Sequence, residues 1–140
     1  MDSDVVIRLV DAWDDEEIVQ LYCAGGWWKD EYDPKTLPDL IRGSFAFAVA
    51  IDRRTGHAIG MGRVLSDGTS DGYIQDLVVL PEFRNKEIGK EIVLTLVRQC
   101  SDAGISWIGL IAEPGTESFY QPLGFRLMQG HVPLLWTSDW

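Results

Sequence analysis

The segment that most constrains the fold of this chain runs from Tyr73 to Gly104. Tyr73 to Leu80 has the β-branched and aromatic content of a strand, and Pro81 withholds the N–H that a ladder would need. Ile88, Ile92, Leu96 and Cys100, with Val93 and Val97 beside them, then recur at the spacing of one helical face. Gly104 stands where a left-handed glycine would end that helix. Between strand and helix lies Arg84-Asn85-Lys86-Glu87-Ile88-Gly89-Lys90, which puts three cations beside amides that have no partner within the helix. Such a turn suits an anion.

Around this unit the other elements fall into place. Val5 to Val10 reads as an opening strand, and Asp14 with Glu17 three residues on resembles a capping box ahead of a helix with an Ile18, Leu21, Tyr22 face. A second, short helix is expected near Leu37 to Arg42, ended by Gly43. From Ser44 to Ile51, Phe45, Phe47, Val49 and Ile51 alternate with alanines at strand period, and a turn at Asp52 to Gly56 leads to a partner strand reaching about Leu65. Ser66 to Gly72 is a further turn before the Tyr73 strand. Beyond the long helix, a strand is predicted over Trp107 to Ala112, a short helix over Thr116 to Leu123, and closing strands over Phe125 to Met128 and Val132 to Trp136. The order is βααβββαβαββ, an α/β (α+β) pattern.

Composition narrows the function. A chain of 140 residues with 46% hydrophobic content, no linker-like stretch and no repeat fits one domain over residues 1–140. No apolar run approaches bilayer length and the acidic start lacks a signal-peptide pattern, so a cytoplasmic protein without membrane association is expected. A net charge of −10 opposes nucleic acid and favours cationic small molecules or basic peptides. Any phosphate site must therefore be local, within a Debye length of about 8 Å. Cys23 and Cys100 lie in apolar patterned segments and are expected as buried free thiols, and neither they nor His57 and His131 have metal-ligand spacing. No metal is expected.

The basic turn lacks the glycines and Lys-Ser/Thr of a Walker A loop, and no GxGxxG follows the first strand. What Asp76 to Lys90 does resemble is the central motif of the GCN5-related N-acetyltransferase (GNAT) superfamily, Arg/Gln-x-x-Gly-x-Gly/Ala. Arg84 and Gly89 match it, and Glu87 replaces its first glycine. Downstream, Phe119-Tyr120-Gln121-Pro122-Leu123-Gly124-Phe125 resembles a second signature of the same superfamily. The resemblance implies a mixed, mostly antiparallel sheet flanked by helices, acetyl-coenzyme A as cosubstrate and an amine as acceptor. It also implies that the backbone of Leu77, Val78 and Val79 lines the pantetheine arm and acyl carbonyl, and that amides from Arg84, Asn85, Lys86, Glu87, Ile88, Gly89 and Lys90 hold the pyrophosphate.

A carboxylate at position 87 adds a Cβ and a like charge beside phosphate, unless it faces solvent in the first helical turn. Transfer needs a free amine, and one with pKa near 10.4 costs about 4.6 kcal/mol to deprotonate at pH 7. Asp76 is the candidate base, with Gln75 beside it; strand alternation would turn only one of them into a given cleft. The alternative for Asp76 is a structural bond to an amide or to Arg63. Tyr120 occupies the position at which the superfamily places a thiol-protonating tyrosine, while Glu113 stands where an asparagine often lies on the cofactor side. Without that role, Tyr120 is an amphipathic core residue. Trp27, Trp28 and Tyr32, interleaved with Asp30 and Glu31, either form an acceptor wall for a cation or pack as core between helices. A silent acyl-coenzyme A-binding module of the same fold is the rival to an enzyme. The Trp-rich end, Trp136 to Trp140, offers a surface on which a second copy could pack as a homodimer.

Overall fold

The computed structural model describes residues 3–139. Its strands are β1 (Val5–Leu9), β2 (Ala46–Asp52), β3 (Ala58–Leu65), β4 (Asp71–Val79) and β5 (Trp107–Gly109), and its helices are α1 (Asp15–Ala24), α2 (Leu37–Gly43), α3 (Ile88–Asp102) and α4 (Glu117–Tyr120). One sheet has the order β1-β2-β3-β4-β5. The first four strands are antiparallel and β5 runs parallel to β4. This is the mixed, mostly antiparallel sheet flanked by helices that the family resemblance implies.

Two faces of the sheet are covered for different reasons. Phe47, Val49 and Ile51 of β2, with Met61 and Val78, pack under Ile18, Leu21 and Tyr22 of α1 and Leu37 and Ile41 of α2. On the other face α3 buries Ile88, Ile92, Val93, Leu96 and Cys100, each such apolar side chain contributing about 1.5–3 kcal/mol. Small residues let α3 approach: a Cβ at Gly62 would lie 2.9 Å from Cγ2 of Ile92 and 3.2 Å from Cδ1 of Leu96. The helix ends as its sequence dictates. Gly104 takes φ +84, its amide reaches Ser101 O, and the amide of buried Ile105 reaches Cys100 O, which together make a Schellman closure.

Residues 1–110 and 111–140 form two compact units. The second contains α4, which passes into a 3₁₀ turn at Gln121–Leu123 that Gly124 closes at φ +102. The predicted closing strands Phe125 to Met128 and Val132 to Trp136 are not strands here. Their periodicity lacks a ladder: Gly130 turns the chain at φ +76, His131 N bonds back to Met128 O, and Pro133 has no N–H to offer. β5 likewise stops at Gly109 rather than Ala112.

The Asp14–Glu17 box is half formed. Asp14 Oδ2 accepts from Glu17 N at 3.1 Å, but the Glu17 carboxylate turns to other donors, Ala58 N (2.6 Å), Trp13 Nε1 (3.1 Å) and His57 Nδ1 (3.2 Å). It ties α1 to β3 instead of capping its own helix. Cys100 is buried as expected, while Cys23 is exposed because it falls on the outer side of α1; both are free thiols. Among the described residues no helix is long and apolar enough to cross a membrane.

Candidate active site

The site is built where β4 breaks its own pleat. Pairing with β3 runs Gly60↔Val79 and Met61↔Val78, then resumes at Arg63↔Gln75, so β4 carries one extra residue between the two registers. That residue set includes Asp76, which sits at φ 60 in the left-handed region, a conformation aspartate tolerates better than most side chains. The bulge cancels the alternation expected of neighbours. Asp76 and Gln75 both turn toward Arg63, whose Nε donates to Asp76 Oδ2 at 2.7 Å and whose Nη2 lies 3.5 Å from Gln75 Oε1. Sequence periodicity, which allowed only one of the pair into a given cleft, fails at this point because a bulge has no period.

Asp76 is thus in the contact with Arg63 that the sequence offered as its structural alternative, and it has a second partner that the sequence did not suggest. Tyr22 of α1 donates its hydroxyl to the same Oδ2 at 2.7 Å. Both bonds fall on one oxygen, and Oδ1 accepts none among the described residues. Burial, then the adjacent carboxylate, push the Tyr22 phenol far above its ordinary value of 10.0, so that it acts as a fixed donor. In the sequence Tyr22 is one position of an apolar helix face. The only signal separating it from Leu21 was a hydroxyl on an otherwise buried stripe.

Tyr22 also anchors the aromatic segment. Its ring centroid lies 6.3 Å from those of Trp27 and Trp28, and Trp28 meets Tyr32 edge-on at 5.4 Å. Trp27 and Trp28 are half-buried against the α1–α2 core, whereas Tyr32 is exposed, with Lys29 Nζ 6.0 Å from its ring centre. Trp27 and Trp28 thus pack as the core alternative expects, while Tyr32 presents a face to solvent.

From the bulge, β4 runs to the basic turn. β5 pairs with β4 only at Asp71–Tyr73, so among the described residues no strand lies along the outer edge of β4 from Ile74 to Val79, the stretch that holds Leu77 and Val78. A 3₁₀ turn at Pro81–Phe83 follows, and Arg84 folds back so that its Nε caps Val79 O at 2.9 Å. Lys86 Nζ stands 5.6 Å from the Phe83 ring centre. Asn85 and Glu87 both take left-handed backbone, φ 65 and 64, and Glu87 is the N-cap of α3 without a side-chain capping bond. Left-handed residues ahead of a helix curl successive amides into a concave nest, and the first-turn amides of Ile88, Gly89 and Lys90 have no carbonyl four residues back within α3. The turn thus offers amides and cations together, and those amides fit a diphosphate. Glu87 holds a conformation for which glycine is the natural choice.

Tyr120 and Glu113 belong to the second unit. There Tyr120 packs edge-on against Phe119 (4.9 Å) and Phe125 (5.8 Å). Burial, then the charge of Glu113, raise its phenol above the ordinary 10.0. The Glu113 carbonyl accepts from both the amide and hydroxyl of Thr116 and so shapes the turn into α4.

Comparison with known proteins places this bulged strand and the amide-bearing turn ahead of its long helix in a family. Residues 9–125 match the acetyltransferase (GNAT) family, and the chain belongs to that family. It is 32% identical over 111 residues to the uncharacterized N-acetyltransferase ycf52 of Pyropia yezoensis, covering 78% of this chain and 63% of that protein. The chain thus spans under two thirds of the length of this curated relative. In fold it is similar to a GNAT family acetyltransferase from Streptococcus pneumoniae TIGR4, with TM-score 0.79 and 22% identity over 96% of this chain and 98% of the other. It is also similar to AAC(6')-Iy in complex with the bisubstrate analogue CoA-S-monomethyl-acetylneamine, with TM-score 0.75 and 18% identity over 96% and 99% of the two chains.

Proposed function

We propose that this chain transfers the acetyl group of acetyl-coenzyme A directly to a primary amine of a small molecule or basic peptide. The observation that carries this is a continuity of chain: β4, whose edge from Ile74 to Val79 has no partner strand among the described residues, leads through Pro81 to the left-handed turn and free first-turn amides at the front of α3. A thioester with a diphosphate at its far end matches this arrangement, because its phosphates need amides and its pantetheine arm can pair with strand backbone. Acetyl-coenzyme A supplies the activated acyl group.

The chain's own groups have separable parts in this reading. Backbone amides from Arg84 to Lys90 bind phosphate, with Lys86 and Lys90 adding charge. Backbone of Leu77, Val78 and Val79 lines the arm, and an amide near Val78 or Val79 steadies the developing oxyanion. Asp76, through Oδ1 or an ordered water, accepts the proton the amine must lose, and Gln75 orients the acceptor. Trp27, Trp28 and Tyr32 give that acceptor an apolar and π-rich wall. Tyr120 returns a proton to the leaving thiolate, a role carried by its place in the second signature and by a phenol held neutral. The bisubstrate analogue seen with AAC(6')-Iy joins coenzyme A to an acetylated amine, which agrees with direct transfer between two bound partners.

Calorimetry with coenzyme A, followed by thiol release from acetyl-coenzyme A over a panel of polyamines, amino sugars, amino acids, aromatic amines and basic peptides, tests the proposal. Binding together with thiol release on at least one amine is expected. Absence of binding at millimolar coenzyme A would overturn it. Tight binding with no acceptor would instead favour the silent module, a reading that Glu87 in the nest and Glu113 in the second unit keep in play.

A further inference from the structure

Asp76 poses a geometric problem that its neighbours solve. A residue at φ 60 in a bulge does not inherit its side-chain direction from the sheet, since the pleat that would set it is interrupted there. Two donors on one carboxylate oxygen supply the missing direction. Arg63 Nε comes from β3 and Tyr22 Oη from α1, each at 2.7 Å from Oδ2. Arg63 alone holds the carboxylate from within the sheet, whereas Tyr22 holds it from the helical layer. Tyr22 is 7% exposed, so its hydroxyl has little competition from water.

The same residue governs the aromatic segment at three points. Its carbonyl accepts from Trp27 N at 3.0 Å, and its ring lies 6.3 Å from both Trp27 and Trp28. Trp27 in turn lies flat across Gly25, where a Cβ would come within 2.6 Å of the indole. Any shift of Tyr22 therefore moves the carboxylate's partner and the aromatic wall together.

We propose that Tyr22 is a positioning residue for acyl transfer, tying the Asp76 carboxylate to the Trp27–Trp28 wall so that acceptor binding and proton acceptance share one geometry. The proposal rests on the transfer reading given above. It separates two contributions that single substitutions can isolate: the hydroxyl acts on Asp76, and the ring and its neighbours act on the acceptor.

The test compares Tyr22→Phe and Gly25→Ala with the wild type in thiol-release kinetics, alongside coenzyme A affinity and thermal midpoint. Tyr22→Phe keeps the ring and is expected to lower kcat about tenfold with acceptor KM little changed, the size of a lost bond to a charged group. Gly25→Ala displaces only Trp27 and is expected to raise acceptor KM about tenfold while leaving kcat near the wild-type value. Arg63→Lys, which keeps the charge but not the Nε direction, should lower kcat as Tyr22→Phe does. Unchanged kcat in Tyr22→Phe, or equal falls in kcat and coenzyme A affinity, would overturn the positioning role. If the wild type binds coenzyme A yet releases no thiol, the transfer reading fails on its own. The geometric part is then decided by the amide resonances of Asp76 and Leu77, which must move in Tyr22→Phe and not in Gly25→Ala.

Discussion

Arg63 and Asp76 meet across β3 and β4 with Nε 2.7 Å from Oδ2, their side chains only 14% and 21% exposed. A pair this withdrawn from water is costly to break from one side, because the remaining charge keeps its desolvation penalty and loses its partner. Arg63→Ala is therefore expected to destabilise the fold by about 2–3 kcal/mol in urea unfolding, with the denaturant slope unchanged. Arg63→Met combined with Asp76→Asn, which leaves no charge behind and keeps a residue that accepts left-handed backbone, should lose less than the sum of the two single changes. Additive losses would mean that the two charges do not interact.

Glu87 gives the most direct handle on the proposed phosphate site. Its φ of 64 costs about 1–2 kcal/mol for an L-residue with a Cβ, and glycine removes that cost while clearing the way to the nest. Glu87→Gly should raise the stability by about 1 kcal/mol and tighten coenzyme A binding in calorimetry. Glu87→Ala separates the two effects, since it removes the charge but keeps the Cβ. If charge repulsion is what weakens binding, alanine tightens it as much as glycine; if backbone strain is, alanine gains nothing.

Much of this arrangement was legible in the amino-acid sequence, and the failures have local causes. The α3 face, the Gly104 closure and the basic turn before the helix are written in neighbouring residues, where period and cap chemistry act over one or two turns. The place of Asp76 along β4 is legible in the sequence but its direction is not, since a bulge is decided by how β3 pairs with β4 and leaves no periodic trace. The part of Tyr22 is hidden for a related reason. Its bond to Asp76 spans 54 residues, and only the tertiary packing of α1 over the sheet reveals that a hydroxyl on an apolar stripe has a partner. The Phe125 and Val132 segments have strand composition but no ladder, which composition alone does not report.

Glu17 predicts how stability responds to acid. Burial raises its pKa, but the amide of Ala58, the indole of Trp13 and the imidazole of His57 together outweigh burial and hold it below the ordinary 4.5. A carboxylate depressed in the folded state stabilises above its unfolded pKa, and that contribution is lost as pH falls through the folded value. Urea midpoints should therefore be steady from neutral pH down to about 4.5 as far as this group is concerned, then fall below it. Glu17→Gln should flatten that fall. An acid limb identical to the wild type's would show that Glu17 does not carry it.

Gly62 is expected to be intolerant of even one methyl group. An alanine Cβ there would sit 2.9 Å from Ile92 and 3.2 Å from Leu96, both fully buried with no room to retreat. Gly62→Ala should cost about 1–3 kcal/mol in thermal or urea unfolding by pushing α3 off the sheet. Because α3 also carries the amide nest, the change should weaken coenzyme A binding. A second substitution, Ile92→Val, removes a methyl from the opposing side and should restore part of both losses. A variant that loses neither stability nor affinity would mean that α3 can rise from the sheet at no cost.

Tyr120 supplies the test of proton return. A donor is useful only while protonated, and burial with the Glu113 charge keeps this phenol neutral above its ordinary 10.0. The sign follows: kcat should show no descending limb from this group until pH exceeds about 10. Glu113→Gln removes the like charge, brings the phenol back toward its ordinary value and should draw that limb to lower pH. Tyr120→Phe should lower kcat about 100-fold while coenzyme A affinity is little changed, the range general-acid groups contribute. If the thiolate instead leaves unprotonated or takes its proton from water, Tyr120→Phe will keep the wild-type kcat and its pH profile, and the phenol's part reduces to packing between Phe119 and Phe125.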